Sequence, residues 1–375
     1  MPELLLSIII PCYNVEKYIE ICVDSIYSGI DNVNELALFE VILVDDGSSD
    51  GTNNICQKLQ TKHSTLRLHI QKNQGVSVAR NVGMSICKGK FIWFIDADDS
   101  VSPGSVVSLL RIIQNNSGVD AVIFGFDIQS GIGNAQTVLP IGNDLQVCTN
   151  ISFVNGSEVV ERYVYNIIGY SQHNLDNLFA GKRIVDYQGI MHGAVWHFLL
   201  SRKLIEEKQL SFNHMLRLRE DAIFLVEYMA YIRTALLCPN ILYHYNIRNT
   251  GNMVQLINDT YNMIENKRAL LEERIRLRGI YQKQYGIDLF SYYMGSLVLS
   301  SLEIMVKGSK YSFKRGLQAI KYIQQPIVSK AIHDVNIRHA PLKYKLPIML
   351  LKWKCYYTLN FLLYIAQKFG MKSPV

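Results

Sequence analysis

Three carboxylates crowd into four positions of the stretch KFIWFIDADDS: Asp96, Asp98 and Asp99. Like charges that close raise one another's pKa unless a cation or strong donors sit among them. An Asp-x-Asp pair offers the hard oxygen ligands that suit magnesium or manganese, and phosphate groups can complete the coordination. A metal held there would neutralise charge gathering on a departing diphosphate. Taken alone, the same residues also fit a plain cap on the helix expected to start near Pro103. Asp45 and Asp46, in VDDGSSDGT, could accept from a base ring N–H or a ribose hydroxyl, or serve only as turn formers. Tyr13, two residues after Pro11, offers a ring face on which a base could stack. Arg80, with Asn73 and Gly75 upstream, could pair with phosphate or shield the aspartates. Glu220 and Asp221 open the segment EDAIFLVEYMAYI, where acids also suit the start of a helix.

These groups depend on the elements that carry them. Residues 4–10 (LLLSIII) read as a strand, 15–28 as a helix, and 39–52 as a strand running into an Asp-, Gly- and Ser-rich turn. A helix over 53–62, a short strand over 66–70, a helix over 75–88 and the FIWFI strand follow. SPGSVVSLLRII (102–113) and DAVIFGFD (120–127) add another helix and strand. Alternation at this spacing predicts an α/β chain with βα units and a mainly parallel central sheet flanked by helices. Ligands of such sheets bind beyond the carboxyl ends of the strands. Pro11-Cys12-Tyr13-Asn14, Asp45-Asp46-Gly47-Ser48 and Asp96-Ala97-Asp98-Asp99 all fall at that edge, so three polar clusters converge on one crevice. Residues 128–190 show no usable period. An amphipathic helix is expected at REDAIFLVEYMAYI, one or two strands at ALLCPNILYHYNIR, and helices over 260–335.

The chain has 375 residues, 49% of them apolar and 19% charged, with a net charge of +6. That is enough for a large α/β unit with an appended region. Its seven cysteines are scattered, with no Cys-x-x-Cys pair, which fits reduced thiols in a cytoplasm better than secretion. The N-terminal apolar run has no basic leader and no small-residue cleavage site, and reads as the first strand.

SIIIPCYN, VILVDDGSSDGT, NQGVSVARNVG and FIDADD, in this order and spacing, resemble the nucleotide-sugar half of family-2 inverting glycosyltransferases with the Rossmann-like GT-A fold. Arg219-Glu220-Asp221-Ala222-Ile223-Phe224 is similar to that family's Glu-Asp motif, and LYHYNIR to its Tyr-x-Tyr-x-x-Arg segment. The resemblance implies that Pro11, Tyr13, Asn14, Asp45, Asp46, Asn73, Arg80, Asp96 and Ala97 bind the nucleotide sugar. It implies Asp98 as the main metal ligand with Asp96 beside it, Asp221 as catalytic base with Glu220 adjacent, and Mn2+ or Mg2+ as cofactor. The donor would be a nucleoside-diphosphate sugar, UDP-linked, and the acceptor a glycan or lipid-linked saccharide in cell-surface polysaccharide synthesis. Val195-Trp196-His197-Phe198 lacks the Asn or Lys that many relatives place after this Trp. His192, His197, His214 and His244 lie in the same half and receive no role. A catalytically inactive sugar-nucleotide or glycan-binding module is the alternative. A nucleotidyltransferase fits less well, because PCYNVEKY offers no Gly-rich basic triphosphate loop.

The expected organisation is a GT-A domain over 1–250, with a nucleotide-sugar half (1–125) and an acceptor-side half (126–250). A helical accessory region (251–340) and a basic tail (341–375) follow. After Asp334 the sequence has no Asp or Glu, while Arg338, Lys343, Lys345, Lys352, Lys354, Lys368 and Lys372 follow. Between Leu346 and Ile365 it is mostly apolar, with Lys352 and Lys354 inside, and a lysine at mid-bilayer is costly. The pattern predicts an interfacial amphipathic helix on an anionic membrane surface, at the cytoplasmic face, rather than a span or a nucleic-acid-binding element.

Overall fold

The computed structural model describes residues 3–116, 118–130, 136–140, 150–182, 193–247, 260–317 and 319–369. Arg248, His192 and Lys372 therefore lie outside the described residues, as does Cys148. The six described cysteines are free thiols.

The chain divides into two compact units, one of Met1–Val164 with Met191–Asn249 and one of Tyr165–Ile190 with Thr250–Val375. The first holds the sheet. Its early strands are β1 (Leu6–Cys12), β2 (Phe39–Asp45), β3 (Leu66–Ile70) and β4 (Phe91–Phe94). Every residue of β2 and β4 is buried, as continuous apolar runs require when helices cover both faces. Burying each such Val, Ile, Leu or Phe contributes about 1.5–3 kcal/mol. The strands β5 (Ser100–Val101), β6 (Ala121–Ser130), β7 (Gln136–Val138), β8 (Ser152–Asn155), β9 (Phe198–Ser201) and β10 (Thr234–Ile247) complete it.

The order is β3-β2-β1-β4-β9-β6-β10-β5, with β7 on β6 and β8 on β10. β1 runs parallel to β2 and β4, and β2 to β3. β9 is antiparallel to both β4 and β6, so β6 and its parallel neighbour β10 run the same way as β4. The sheet is thus mixed but mostly parallel, the GT-A-like arrangement expected. The segment ALLCPNILYHYNI, within Thr234–Ile247, forms a single strand rather than two. Its register shifts between Cys238, Ile241 and Tyr243, where Pro239 cannot donate to a ladder. The antiparallel β7, β8 and β9 were not foreseen, since three or four residues carry too few alternations to show a period.

The helix Val76–Ile86 lies against β1 closely enough that a Cβ on Gly83 would stand 2.4 Å from Ile9 Cγ2. That close approach seats Arg80, one turn earlier, near the carboxyl end of the sheet.

The second unit is helical, with Gln172–Phe179, Thr260–Tyr285, Phe290–Tyr311 and Pro326–Asp334 among its helices. The tail is not one helix but two, Leu342–Lys352 and Tyr356–Lys368. Lys354 adopts a left-handed φ of 57° at the turn between them, which stops the first helix. No described helix is long and apolar enough to cross a membrane.

Candidate active site

The loops after β1 and β2 are laced together. Asn14, at φ 54°, donates its backbone N–H to Ser48 Oγ (3.0 Å) and accepts from Ser49 N–H at its side-chain oxygen (2.8 Å). Val15 N–H donates to Thr52 Oγ1 at 2.8 Å. Tyr13 projects from this lacing with 37% of its surface exposed, and Pro11 is half-buried within β1.

Asp45 and Asp46 are both buried and both hold backbone in place. Asp45 accepts from Ser48 N–H (3.0 Å) and Asn53 Nδ2 (2.9 Å). Asp46 accepts from Gln71 Nε2 (2.8 Å), Gln74 N–H (2.9 Å) and Gly75 N–H (2.7 Å), fixing the loop that leads into the Arg80 helix. Gly47 between the loops has φ 72°, and a Cβ there would come within 2.8 Å of Asn73 N. Asn73 itself is exposed beside that contact.

The DADD turn splits its carboxylates. Asp99 points inward, accepting from Tyr243 Oη (2.6 Å) and Asn246 N–H (2.8 Å), and so fastens the turn to β10. Burial first, then the charges of Asp96 and Asp98, push the Asp99 carboxyl well above its usual range. Ala97 is buried and Asp98 half-buried. Asp96 donates its backbone N–H to Tyr243 Oη (3.2 Å), and its Oδ1 accepts from Arg80 Nη2 (2.9 Å).

Arg80 is the hub. Its side chain is 3% exposed, and Nη1 donates to Asp221 Oδ1 and, at 3.3 Å, to Glu220 Oε1. Burial lowers its pKa, but Asp221, Asp96 and Glu220 together hold it above the ordinary arginine value. The guanidinium lies 5.3 Å from the centre of the Phe212 ring. Glu220 and Asp221 begin the helix Glu220–Met229, directly after Arg219 at φ 68°. Burial raises Asp221 to about 7, with Arg80 and a backbone hydrogen bond from Val195 opposing and the charges of Glu220 and Asp96 adding. Glu220 is raised as well, again by burial against the pull of Arg80.

The sheet edge thus brings together Arg80, Asp96, Glu220 and Asp221, while Asp45, Asp46 and Asn14 hold the loops around it. The contributions of Val195, Phe212 and Asn81 were not visible in sequence. Asn81 exchanges two hydrogen bonds of 2.8 Å with the Phe212 backbone and so sets the ring against Arg80. Trp196 stacks on Tyr243 at 4.4 Å, and the Trp93 indole N–H donates to Trp196 O at 2.7 Å.

Two histidines have structural surroundings. His197 is buried among Trp196, Phe126 and Phe198. His244 bridges Asp127 Oδ1 (2.6 Å) and Ser102 Oγ (3.0 Å). This Ser–His–Asp set is not a nucleophile in waiting, because Ser102 Oγ donates to Ile241 O at 2.8 Å. Among the described residues no group of three His, Cys, Asp or Glu side chains forms a ready-made metal cluster. Asp96 and Asp98 supply two hard oxygen donors at the edge, a set that fits magnesium or manganese when phosphates and water supply the remaining ligands.

A mostly parallel sheet with an acidic cluster beyond the end of β4 defines a GT-A-like protein, and solved structures agree on the fold. The crystal structure of S. aureus TarS 1-349 in complex with UDP-GlcNAc covers 98% of this chain and 93% of its own, with a TM-score of 0.56 at 17% identity. Residues 7–207 match the family described as Glycosyl transferase family 2, and the chain belongs to that family. It is 26% identical over 317 residues to EpsH of Bacillus subtilis (strain 168), a protein named as a glycosyltransferase, covering 82% of this chain and 80% of EpsH. It is 27% identical over 255 residues to the minor teichoic acid biosynthesis protein GgaB of the same organism, covering 66% of this chain but 23% of GgaB.

Proposed function

We propose that this glycosyltransferase transfers a hexose, with inversion, from a UDP-linked sugar to a hydroxyl of a glycan or lipid-linked acceptor during cell-surface polysaccharide synthesis. The observation that carries the reading is the Arg80-centred cluster, in which a carboxylate with a pKa of about 7 stands beside the acidic turn after β4. The UDP-GlcNAc held by TarS and the teichoic acid named for GgaB support the donor and the setting.

In this reading Tyr13 offers its exposed face to the base. Asp45 and Asp46 meet the nucleoside or hold the loops that do, with Pro11, Asn14 and Asn73 alongside. Asp98 and Asp96 would hold the divalent cation, which when bound neutralises charge on the leaving diphosphate. Asp221 takes the proton from the acceptor hydroxyl as that oxygen bonds to the anomeric carbon. The bond from that carbon to the diphosphate oxygen breaks on the opposite face, and the electron pair leaves with the nucleoside diphosphate. One displacement inverts the centre, so an α-linked donor yields a β-linked product and no covalent sugar–enzyme bond forms. Arg80 and the Val195 N–H keep the Asp221 carboxylate oriented, and Glu220 shares the same guanidinium.

A panel of nucleotide sugars, screened for hydrolysis, transfer and thermal stabilisation with and without manganese, tests the proposal. One UDP-sugar should raise the melting temperature and be turned over. If none stabilises the protein and none is consumed, an inactive glycan-binding module becomes the better reading.

A further inference from the structure

The helical unit presents one face that its own packing leaves unexplained. The helices Leu342–Lys352 and Tyr356–Lys368 each bury one side: Tyr344, Ile348, Leu351, Leu359 and Leu363 are covered. Asn360 Nδ2 donates to Phe313 O and Gln367 Nε2 to Val306 O, each at 2.8 Å, so the pair is docked firmly. Their other side is apolar too. Leu342, Leu346 and Trp353 follow one line on the first helix and its end, and Tyr357 and Phe361 follow one on the second. Trp353, Tyr357 and Phe361 are 64%, 65% and 54% exposed. Large aromatic side chains that open to water along a stripe mark an interaction surface rather than scattered surface chemistry.

Charge narrows the occupant. Lys343, Lys345, Lys354 and Lys368 flank these residues, and no acid occurs anywhere after Asp334. One expected cation is missing from the face, since Lys352 turns inward and donates its ammonium to His333 O (3.0 Å) and Val335 O (2.7 Å). A second copy of this chain would be a poor partner, because a two-fold contact sets the same lysines against one another. A bilayer surface bearing anionic lipid fits both halves of the pattern: aromatic rings sit at headgroup depth, leucines below them, and lysines reach the phosphates.

We propose that the exposed face of the 342–369 helix pair docks on an anionic membrane surface, lying in the interface without spanning it. The inference stands apart from the donor and base assignments, since it rests on residues of the helical unit alone.

The test floats the full-length protein with vesicles of phosphatidylcholine, alone or mixed with phosphatidylglycerol. The protein should rise with the mixed vesicles only, and added salt should weaken the binding. The triple variant Trp353→Ser/Tyr357→Ser/Phe361→Ser and the charge reversal Lys343→Glu/Lys354→Glu should each lower binding by about tenfold or more, with an unchanged melting temperature. These positions are exposed, and the second variant alters charge without touching the rings, so a folding defect in one does not hide the answer. Failure to bind the mixed vesicles, or equal binding by both variants, would overturn the proposal. So would a dimer in light scattering that the triple variant dissolves, since the face would then be a contact between copies.

Discussion

Arg80 and Asp221, 141 residues apart in sequence, meet in a direct charged hydrogen bond at the carboxyl edge of the sheet. The same guanidinium also reaches Asp96 and Glu220, so a single buried cation holds the turn after β4 and the start of the Glu220 helix together. Removing one member of a buried ionic group costs about 3–5 kcal/mol, because its partners stay buried and unpaired. Arg80→Ala should lose stability in that range by denaturant titration. Arg80→Lys should recover part of it, since one ammonium cannot fork among three carboxylates. A loss below about 1 kcal/mol for the alanine variant would place the cluster among surface ion pairs.

The Asp221 carboxyl, raised to about 7 by burial, sets the sign of a pH profile. A general base works deprotonated, so kcat/KM should climb as pH rises through about 7 and level off above it. Its stability contribution runs the other way. A raised folded pKa favours the neutral form, so that contribution is full below the unfolded value near 4 and is lost as pH rises to about 7. A rate already at its plateau well below neutrality would remove Asp221 as the titrating base.

Asp46 is expected to matter through the loop it holds. Replacing it with Ala strands Gln71 Nε2, Gln74 N–H and Gly75 N–H together and should cost at least about 2 kcal/mol. Asp46→Asn keeps an acceptor oxygen and should cost less. Thermal melts of the two variants, beside donor titrations, would show whether the loop and the donor site fail together.

The two acids of Asp98-Asp99 should separate cleanly. Asp98→Ala should abolish the manganese dependence of donor binding. Asp99→Ala should instead cost about 1–3 kcal/mol, because Tyr243 and Asn246 lose their acceptor. Donor titration calorimetry after dialysis against a chelator, then with manganese restored, reads the first effect. Equal metal dependence in Asp98→Ala and wild type would move the cation elsewhere.

Much of this was legible because buried parallel strands write themselves as unbroken apolar runs, and the polar residues that end them must lie at one edge. VILVDDGS and FIWFIDADD needed no structure for their polar ends to be placed at one edge, although β1 lies between the two strands. The inward turn of Asp99 was not legible, since its partners sit in β10, 144 and 147 residues away. Nor was the fold of β9 between β4 and β6, because FLLS is too short to declare its direction. The tail showed its composition but not its break at Lys354, which depends on a single left-handed residue. The hydrogen bonds of Lys352 to the carbonyls of His333 and Val335 were likewise not legible, since those partners lie 19 and 17 residues earlier.

The most direct test compares wild type with Asp221→Asn in two parallel assays, equilibrium binding of the UDP-sugar and transfer of its hexose to acceptor. A base role for Asp221 predicts donor affinity within a few-fold of wild type and transfer reduced by about 10²–10⁴, the contribution of a positioned base. Transfer at the wild-type rate by Asp221→Asn would contradict it.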